Sequence, residues 1–357
     1  MATFAVVMAQ QLTIKQIAQL AGVSAGTVDR VLHNRGKVSP EAMKAVRGVL
    51  SSQNYKYNLH TSAVAFRKTK KSLKLIISIP SSEKGEYWDL IRTGIDEALS
   101  EYNDFDIESK YVFFDQFDSV SCHTAFDSIA EASCSAVIMA TLYVQETQNL
   151  CSRLDKRGVP YAFVDGSVEG ASPIACFKAD QHACGRLLAR LMDGFTPKGM
   201  ELALLLPRRT GTLMSNNSAI RMSAFKEYFA EKGKVRTIHE AQFSVSNAEE
   251  INVDVSSFLK NNPLVAGIAV VISHSYVISD ALAADGIKGI VVGGFDVTAG
   301  NARCLREGSL DFLINQHPER QGFYAVESTL HYLLYGTPDD TLKENLPLDI
   351  VLRENLQ

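Results

Sequence analysis

The spacing of apolar residues changes part-way along the chain, and the change divides it. Over residues 13–35, TIKQIAQLAGVSAGTVDRVLHNR, Ile14, Ile17, Ala18 and Ala21 recur at helical spacing. Thr13 stands where an N-cap accepts a free backbone N–H, and Gly22 where a left-handed residue ends the helix. A second helix restarts at Ser24, which can cap it; Val28, Val31 and Leu32 form its buried stripe, with Thr27 and Arg30 on the opposite face. From Leu73 onward the pattern becomes short apolar runs, KLIISI, IESKYVFF, AVIMA and YAFV, separated by helical stretches over Tyr87 to Tyr102, near Phe126 and near Leu150. The rhythm repeats with IACF, ELALLL, VRTIHEA, VAGIAVV and KGIVVGGF, with helices near Arg186, Ala224, Ile251 and Ala281. Such alternation predicts parallel sheets covered on both faces. The expected fold is an N-terminal all-α helix-turn-helix head followed by an α/β body of two lobes.

Charge sharpens this division. The formal net charge of -4 conceals +9 over residues 1–72 and -13 over the remainder. A basic head suits a polyanion such as double-stranded DNA, and an acidic body is repelled by it. The expected parts are a head over residues 1–56, a short helix and basic linker over 57–72, and a body over 73–357. Within the body, lobe 1 is expected to take about 73–168 and 299–316, and lobe 2 about 169–298 and 317–357. In the linker, NYKYNLHTSAVAFRKTKKS, Asn58 can cap a short helix from Leu59 to Phe66.

Several function classes lose support on composition and motifs. No run approaches a membrane span, and the opening ATFAVVMA is short, without a basic flank or cleavage site, so a cytoplasmic protein without membrane partners is expected. Six cysteines show no CxxC pairing or clustering with histidine, which points to reduced structural thiols and to neither a metal nor a cofactor. Gly22-Val23-Ser24-Ala25-Gly26 matches the GxSxG nucleophile pattern, but that chemistry needs a strand before the serine, and here a helix precedes it. Gly293-Gly294 ends a strand without opening a dinucleotide fingerprint, so no catalytic residue is assigned.

Ligands of such sheets bind beyond the carboxyl ends of the strands, here in a cleft between lobes. Arg221 follows the polar run SNNSAI, early in a helix facing that cleft, where a guanidinium can hold hydroxyls or a carboxylate; a surface salt bridge is the alternative. Asp296 closes the strand VVGGFD and can accept from ligand hydroxyls, with helix capping as the alternative. Tyr87 and Trp88 open the first body helix; Trp88, the chain's single tryptophan, offers an aromatic face for a sugar or else packs in the core.

The order of these parts resembles the LacI/GalR family of transcriptional regulators, over essentially residues 12–357. The resemblance rests on Thr13-Ile14, Ile17-Ala18, Ala21-Gly22-Val23-Ser24, Thr27-Val28 and Arg30-Val31-Leu32, with Asn54-Tyr55 and Asn58 on the approach to the hinge. In the body it rests on Val159-Pro160 before Asp165, Arg221, the Gly294-Phe295-Asp296 strand end, and Gln316 before a final helix. It implies a periplasmic-binding-protein-like effector domain, a homodimer, a DNA operator, and a small-molecule effector of the carbohydrate class. The same resemblance makes residues 1–56 a DNA-binding head, 57–72 a hinge helix with its linker, and 73–357 an effector-binding and dimerisation domain. The DNA-binding residues it implies are Thr13, Ser24, Ala25, Gly26, Thr27, Arg30, His33, Asn34, Asn58 and Val64, the last as a minor-groove wedge. The effector residues are Tyr87, Trp88, Asp165, Arg221, His274, Asp296 and Gln316. His274 stands where relatives often carry an asparagine; a surface-loop histidine is the alternative.

Departures matter too. Asp29 replaces the usual serine after Thr-Val, Tyr57 the usual proline before the hinge asparagine, and Val64 the usual leucine wedge. Ala25 and Gly26 place short side chains where recognition helices often carry long ones, which shifts base reading toward Arg30. The function expected is a sequence-specific repressor switched by a sugar or sugar derivative. The competing classes are a solute-binding receptor-like protein without a transcriptional role, and a sugar-processing enzyme fused to a DNA-binding head.

Overall fold

Residues 13–32, 38–52, 72–211, 214–231, 233, 236–245, 247–336 and 345–356 are described by a computed structural model. In the head, α1 (Ile14–Ala21) and α2 (Ala25–Leu32) occupy the expected segments, and α3 (Pro40–Ser52) follows. Thr13 and Gln16 form a reciprocal capping box, so two otherwise orphaned N–H groups are satisfied, and Gly22 ends α1 in the left-handed region at φ 65°. Ser24 Oγ accepts from Thr27 N at 3.0 Å and opens α2. Ile17, Ala18 and Val28 meet Val46 of α3 in a small core. His33, Asn34, Asn58 and Val64, and with them the expected hinge helix, lie outside the described residues.

The body has two sheets with the same strand order. The first contains β1 (Leu73–Ser78), β2 (Ile107–Tyr111), β3 (Ala136–Ala140), β4 (Tyr161–Asp165), β5 (Ala175–Ala179) and β11 (Asn345–Leu346), ordered β11-β5-β4-β3-β1-β2. The second contains β6 (Glu201–Pro207), β7 (Ile238–Phe243), β8 (Val265–Val270), β9 (Val291–Phe295), β10 (Phe312–Asn315) and β12 (Asp349–Val351), ordered β12-β10-β9-β8-β6-β7. Pairing is parallel throughout except between β10 and β12. The central strands read as apolar runs because helices cover both faces; β3, β4 and β8 are buried at every position.

Helices α4 (Tyr87–Glu101), α5 (Ser119–Glu131) and α6 (Val144–Arg157) belong to the first lobe. Helices α7 (Gln181–Phe195), α8 (Asn216–Glu231), α9 (Ala248–Asn261), α10 (Ser275–Ala284) and α11 (Ala299–Glu307) belong to the second. The last helix, α12 (Pro318–Tyr335), returns to the first lobe and packs on α4 so closely that a Cβ on Gly94 would lie 1.9 Å from the Glu319 carbonyl oxygen.

The lobe boundaries therefore differ from those expected. IACF, read as the start of lobe 2, pairs with β4 in lobe 1; 312–315, assigned to lobe 1, pairs with β9 in lobe 2; and the helix over 318–335, assigned to lobe 2, covers lobe 1. The chain crosses between β5 and α7, again between β10 and α12, and a third time between β11 and β12. An apolar strand run reveals that it is buried, not which sheet buries it, so a periodicity-based boundary falls one strand early.

Candidate functional site

The carboxyl ends of the strands of both lobes face one another, and each lobe sends an aspartate into that junction from the same place in its sheet. Asp165 ends β4 and Asp296 follows β9, the equivalent strand, and both adopt left-handed backbone, φ 72° and 62°. Aspartate tolerates that conformation better than most residues, because its short polar side chain bonds locally. The turn aims both carboxylates across the sheet ends.

They anchor one buried hydrogen-bond network. Asp165 Oδ1 accepts from the Tyr87 hydroxyl at 2.6 Å, its Oδ2 from Asn217 Nδ2 at 2.8 Å, and its backbone N donates to Gln321 Oε1 at 2.9 Å. Asp296 Oδ2 accepts from Ser273 Oγ at 2.6 Å and Gln316 Nε2 at 2.8 Å, while Oδ1 takes Gln316 N at 3.0 Å. Arg221 joins the two halves: Nε donates to Gln181 Oε1 at 2.7 Å, and its two other nitrogens donate to Gln316 Oε1 at 2.6 Å and to the Val271 carbonyl at 2.8 Å. Its guanidinium also lies 4.1 Å over the Phe295 ring, a stacking worth about 2 kcal/mol when water is excluded. Burial pushes the Asp165 carboxyl up, against the bonds from Tyr87 and the charge of Arg221. The same cause raises Asp296 to about 6.

Beside this network lies a cavity between the lobes, walled by Tyr87, Trp88, Gln116, Leu142 and Asp165 of lobe 1 and by Arg209, Ser215, Asn217, Ser218, Arg221, Ile272, Ser273, His274 and Gln316 of lobe 2. Trp88 Nε1 donates to Gln116 Oε1 at 2.8 Å, which fixes the indole in the wall. Main-chain bonds clasp the lobes around it: Thr210 N to Phe117 O at 2.8 Å, Asn216 N to Leu142 O at 3.1 Å, and Ala299 N to Gly85 O at 2.9 Å. Some buried polar atoms of the wall have no partner, among them Arg209 Nε, Asn217 Oδ1 and His274 Nδ1. Unsatisfied buried groups are rare in folded proteins, and these three belong to the wall of one cavity.

Six of the seven expected effector residues, Tyr87, Trp88, Asp165, Arg221, His274 and Gln316, line the cavity. Asp296 does not: it is fully buried and accepts from Gln316 and Ser273, both of which line the wall. Arg221 and Asp165 are likewise already bonded within the protein. His274 is no surface-loop residue; its side chain is 13% exposed, and burial with the nearby Arg209 charge lowers its pKa to about 4. Asn217 lies in the polar run SNNSAI that precedes Arg221. Arg209, Gln116, Gln181 and Gln321 carry no sequence signal that sets them apart.

In the head, Ala25, Gly26 and Arg30 are exposed on α2 and Thr27 is half-buried. Ser24 and Thr27 hydroxyls meet at 2.8 Å, and Arg30 folds back along its own helix, Nε donating to the Gly26 carbonyl at 3.1 Å. Among the described residues of α2, Arg30 carries the one long side chain on that exposed face. Thr13 is committed to capping α1.

Known proteins repeat this order of parts. Residues 76–337 match the periplasmic binding protein domain, and residues 13–58 match the family of bacterial regulatory proteins called the lacI family. The body belongs to the periplasmic binding protein domain family, and the head carries the helix-turn-helix domain of the lacI family. A solved structure from Bacteroides fragilis, described as a LacI transcriptional regulator, is 26% identical with a TM-score of 0.75, over 80% of this chain and 98% of that one. The Escherichia coli HTH-type transcriptional regulator GalR is 38% identical over 65 residues, 18% of this chain and 19% of GalR. The ribose operon repressor of Halalkalibacterium halodurans is 23% identical over 77% of this chain and 74% of its own length. The matches to the first curated relatives span about a quarter of those proteins' length. No described helix is long and apolar enough to cross a membrane.

Proposed function

We propose that this chain is a cytoplasmic homodimeric repressor that binds a pseudo-palindromic operator and is switched by a sugar or sugar derivative held between its lobes. The observation that carries the reading is the cavity itself: one chain joins a helix-turn-helix head to a polar, tryptophan-walled pocket that cross-lobe bonds close. Each head places Ser24 to Leu32 in the major groove, with paired hinge segments at the operator centre. An effector filling the cavity favours the closed lobes, and differential affinity for closed and open forms shifts operator binding; a ligand indifferent to closure would change nothing. Relatives point the same way: one is named a ribose operon repressor, and a structural neighbour is a transcriptional regulator in complex with cellobiose.

The test is a gel-shift assay on an operator selected from random DNA at physiological salt, with and without candidate sugars. Specific binding altered by one sugar is expected. Loss of sequence preference at that salt overturns the repressor reading, and ligand recovered chemically changed by mass spectrometry favours the enzyme class instead.

A further inference from the structure

We propose that the effector is anionic, a carboxylate or phosphate borne on a hydroxylated ring, and that its charged group sits between Arg209 and His274 at one end of the interlobe cavity. The inference rests on the sugar-effector reading and adds the charge of the ligand.

Arg209 follows β6 in lobe 2 and reaches across to lobe 1, where it donates to the Gln116 carbonyl and the Tyr143 hydroxyl and lies 5.1 Å over the Phe117 ring. Among the described residues it makes no ion pair, and its Nε is buried without a partner. Asp115 and Asp165 act on it only through space. A guanidinium in such a place carries a desolvation cost that a charge partner would offset, and its planar fork matches a carboxylate or phosphate. His274 packs on the same Phe117 ring at 6.0 Å and lines the same cavity, and its Nδ1 is also buried and unpartnered. An unpartnered guanidinium N–H and an unpartnered imidazole nitrogen therefore share one cavity.

The other charged groups of the wall, Arg221 and Asp165, are already bonded within the protein: Arg221 donates to Gln181, Gln316 and the Val271 carbonyl. Asp165, the only carboxylate in the wall, spends one oxygen on Tyr87 and the other on Asn217. The unpartnered acceptor of the wall is Asn217 Oδ1, a neutral amide oxygen suited to a hydroxyl. A neutral sugar would satisfy Asn217 and leave the guanidinium uncompensated; an acidic or phosphorylated one satisfies both.

Trp88, the chain's single tryptophan, lies in this wall, so its fluorescence reports occupancy of the full-length protein. Matched pairs would be titrated: galacturonate against galactose, gluconate against glucose, and glucose 6-phosphate against glucose. At least one anion is expected to bind about tenfold or more tightly than its neutral partner, and the responding arm tells carboxylate from phosphate. Arg209→Gln should bring the ratio of anionic to neutral affinity to about one, with a thermal melt showing that the variant folds, and Arg209→Lys should keep part of the preference. Equal or tighter binding of neutral sugars, or an unchanged preference in Arg209→Gln, overturns the charge inference and leaves the sugar reading standing. Silence toward every carbohydrate overturns both.

Discussion

Asn217 of lobe 2 donates its side-chain amide to Asp165 Oδ2 of lobe 1 at 2.8 Å, and the same nitrogen reaches the Asp165 carbonyl at 3.1 Å. One side chain thus bonds the carboxylate and the left-handed backbone that aims it. Asn217→Ala leaves Asp165 Oδ2 without its donor, at about 1–3 kcal/mol, while the carbonyl keeps Gln181 Nε2 at 3.2 Å, and it removes a tie between the lobes. The variant should lose roughly tenfold or more in effector affinity and scatter X-rays as a more open body. If both affinity and scattering match the parent, this bond does not hold the lobes together.

The seat of Arg221 is tested from behind. A Cβ on Gly185 of α7 would lie 2.2 Å from the Arg221 carbonyl oxygen and 2.9 Å from Ala224 Cβ, so α7 and α8 can touch only because residue 185 has no side chain. Gly185→Ala should cost about 1–3 kcal/mol in denaturant unfolding and weaken effector binding by shifting the helix that carries the guanidinium. Gly194→Ala is the control: nothing lies within 4 Å of that Cβ, so helix propensity alone should add up to about 1 kcal/mol of stability.

Much of this site is legible in the sequence, for identifiable reasons. Arg221, Asp165 and Gln316 lie at strand ends or helix starts, and the alternation of strand and helix brings those ends to one side. Tyr87 and Trp88 were marked by their aromatic character beside the first strand. What stays hidden depends on the crossings. Gln321 bonds Asp165 only because α12 returns to lobe 1, which periodicity does not reveal. Arg209 resembles its exposed neighbour Arg208, which pairs with Asp254 at 3.0 Å; only the folded chain turns one outward and the other into the cleft. Asp296 reads as a ligand contact because its strand ends at the cleft, yet it is fully buried and its carboxylate accepts from Gln316 and Ser273 of the wall.

Glu86 and His274 should give the lobe interface opposite responses to pH. His274 Nε2 lies 3.9 Å from Glu86 Oε2, close enough for an ion pair by distance. Burial, however, raises Glu86 to about 7 and lowers His274 to about 4, so between those values both are mainly neutral and the contact is not ionic. The raised Glu86 contributes stability that is complete below its unfolded value near 4.5 and lost as pH rises through about 7. The lowered His274 contributes stability that is present above 6.5 and lost as pH falls through about 4. Thermal melts across pH should therefore lose the neutral-side decline in Glu86→Gln and the acid-side decline in His274→Gln. Curves that keep the parent shape in both variants would refute the assignment.

Arg30 is expected to carry most of the direct base reading by the head. Ala25 and Gly26 present nothing long enough to reach a base edge, and Asp29 brings a negative charge toward the phosphates, whereas the Arg30 guanidinium is exposed on α2 and, among the described residues, bonded within its own helix at 3.1 and 3.4 Å. Those weak local bonds are easily exchanged for the two acceptors of a guanine. Arg30→Ala should cost about 1–3 kcal/mol on the preferred operator and flatten preference at one base position in each half-site. Lys68, in the basic linker, should behave otherwise: Lys68→Ala should weaken all DNA alike and reduce the salt dependence of binding by about one counterion. Competition gel-shifts against operators randomised one position at a time separate the two outcomes, and an Arg30→Ala variant that weakens every sequence equally would reassign Arg30 to the phosphates.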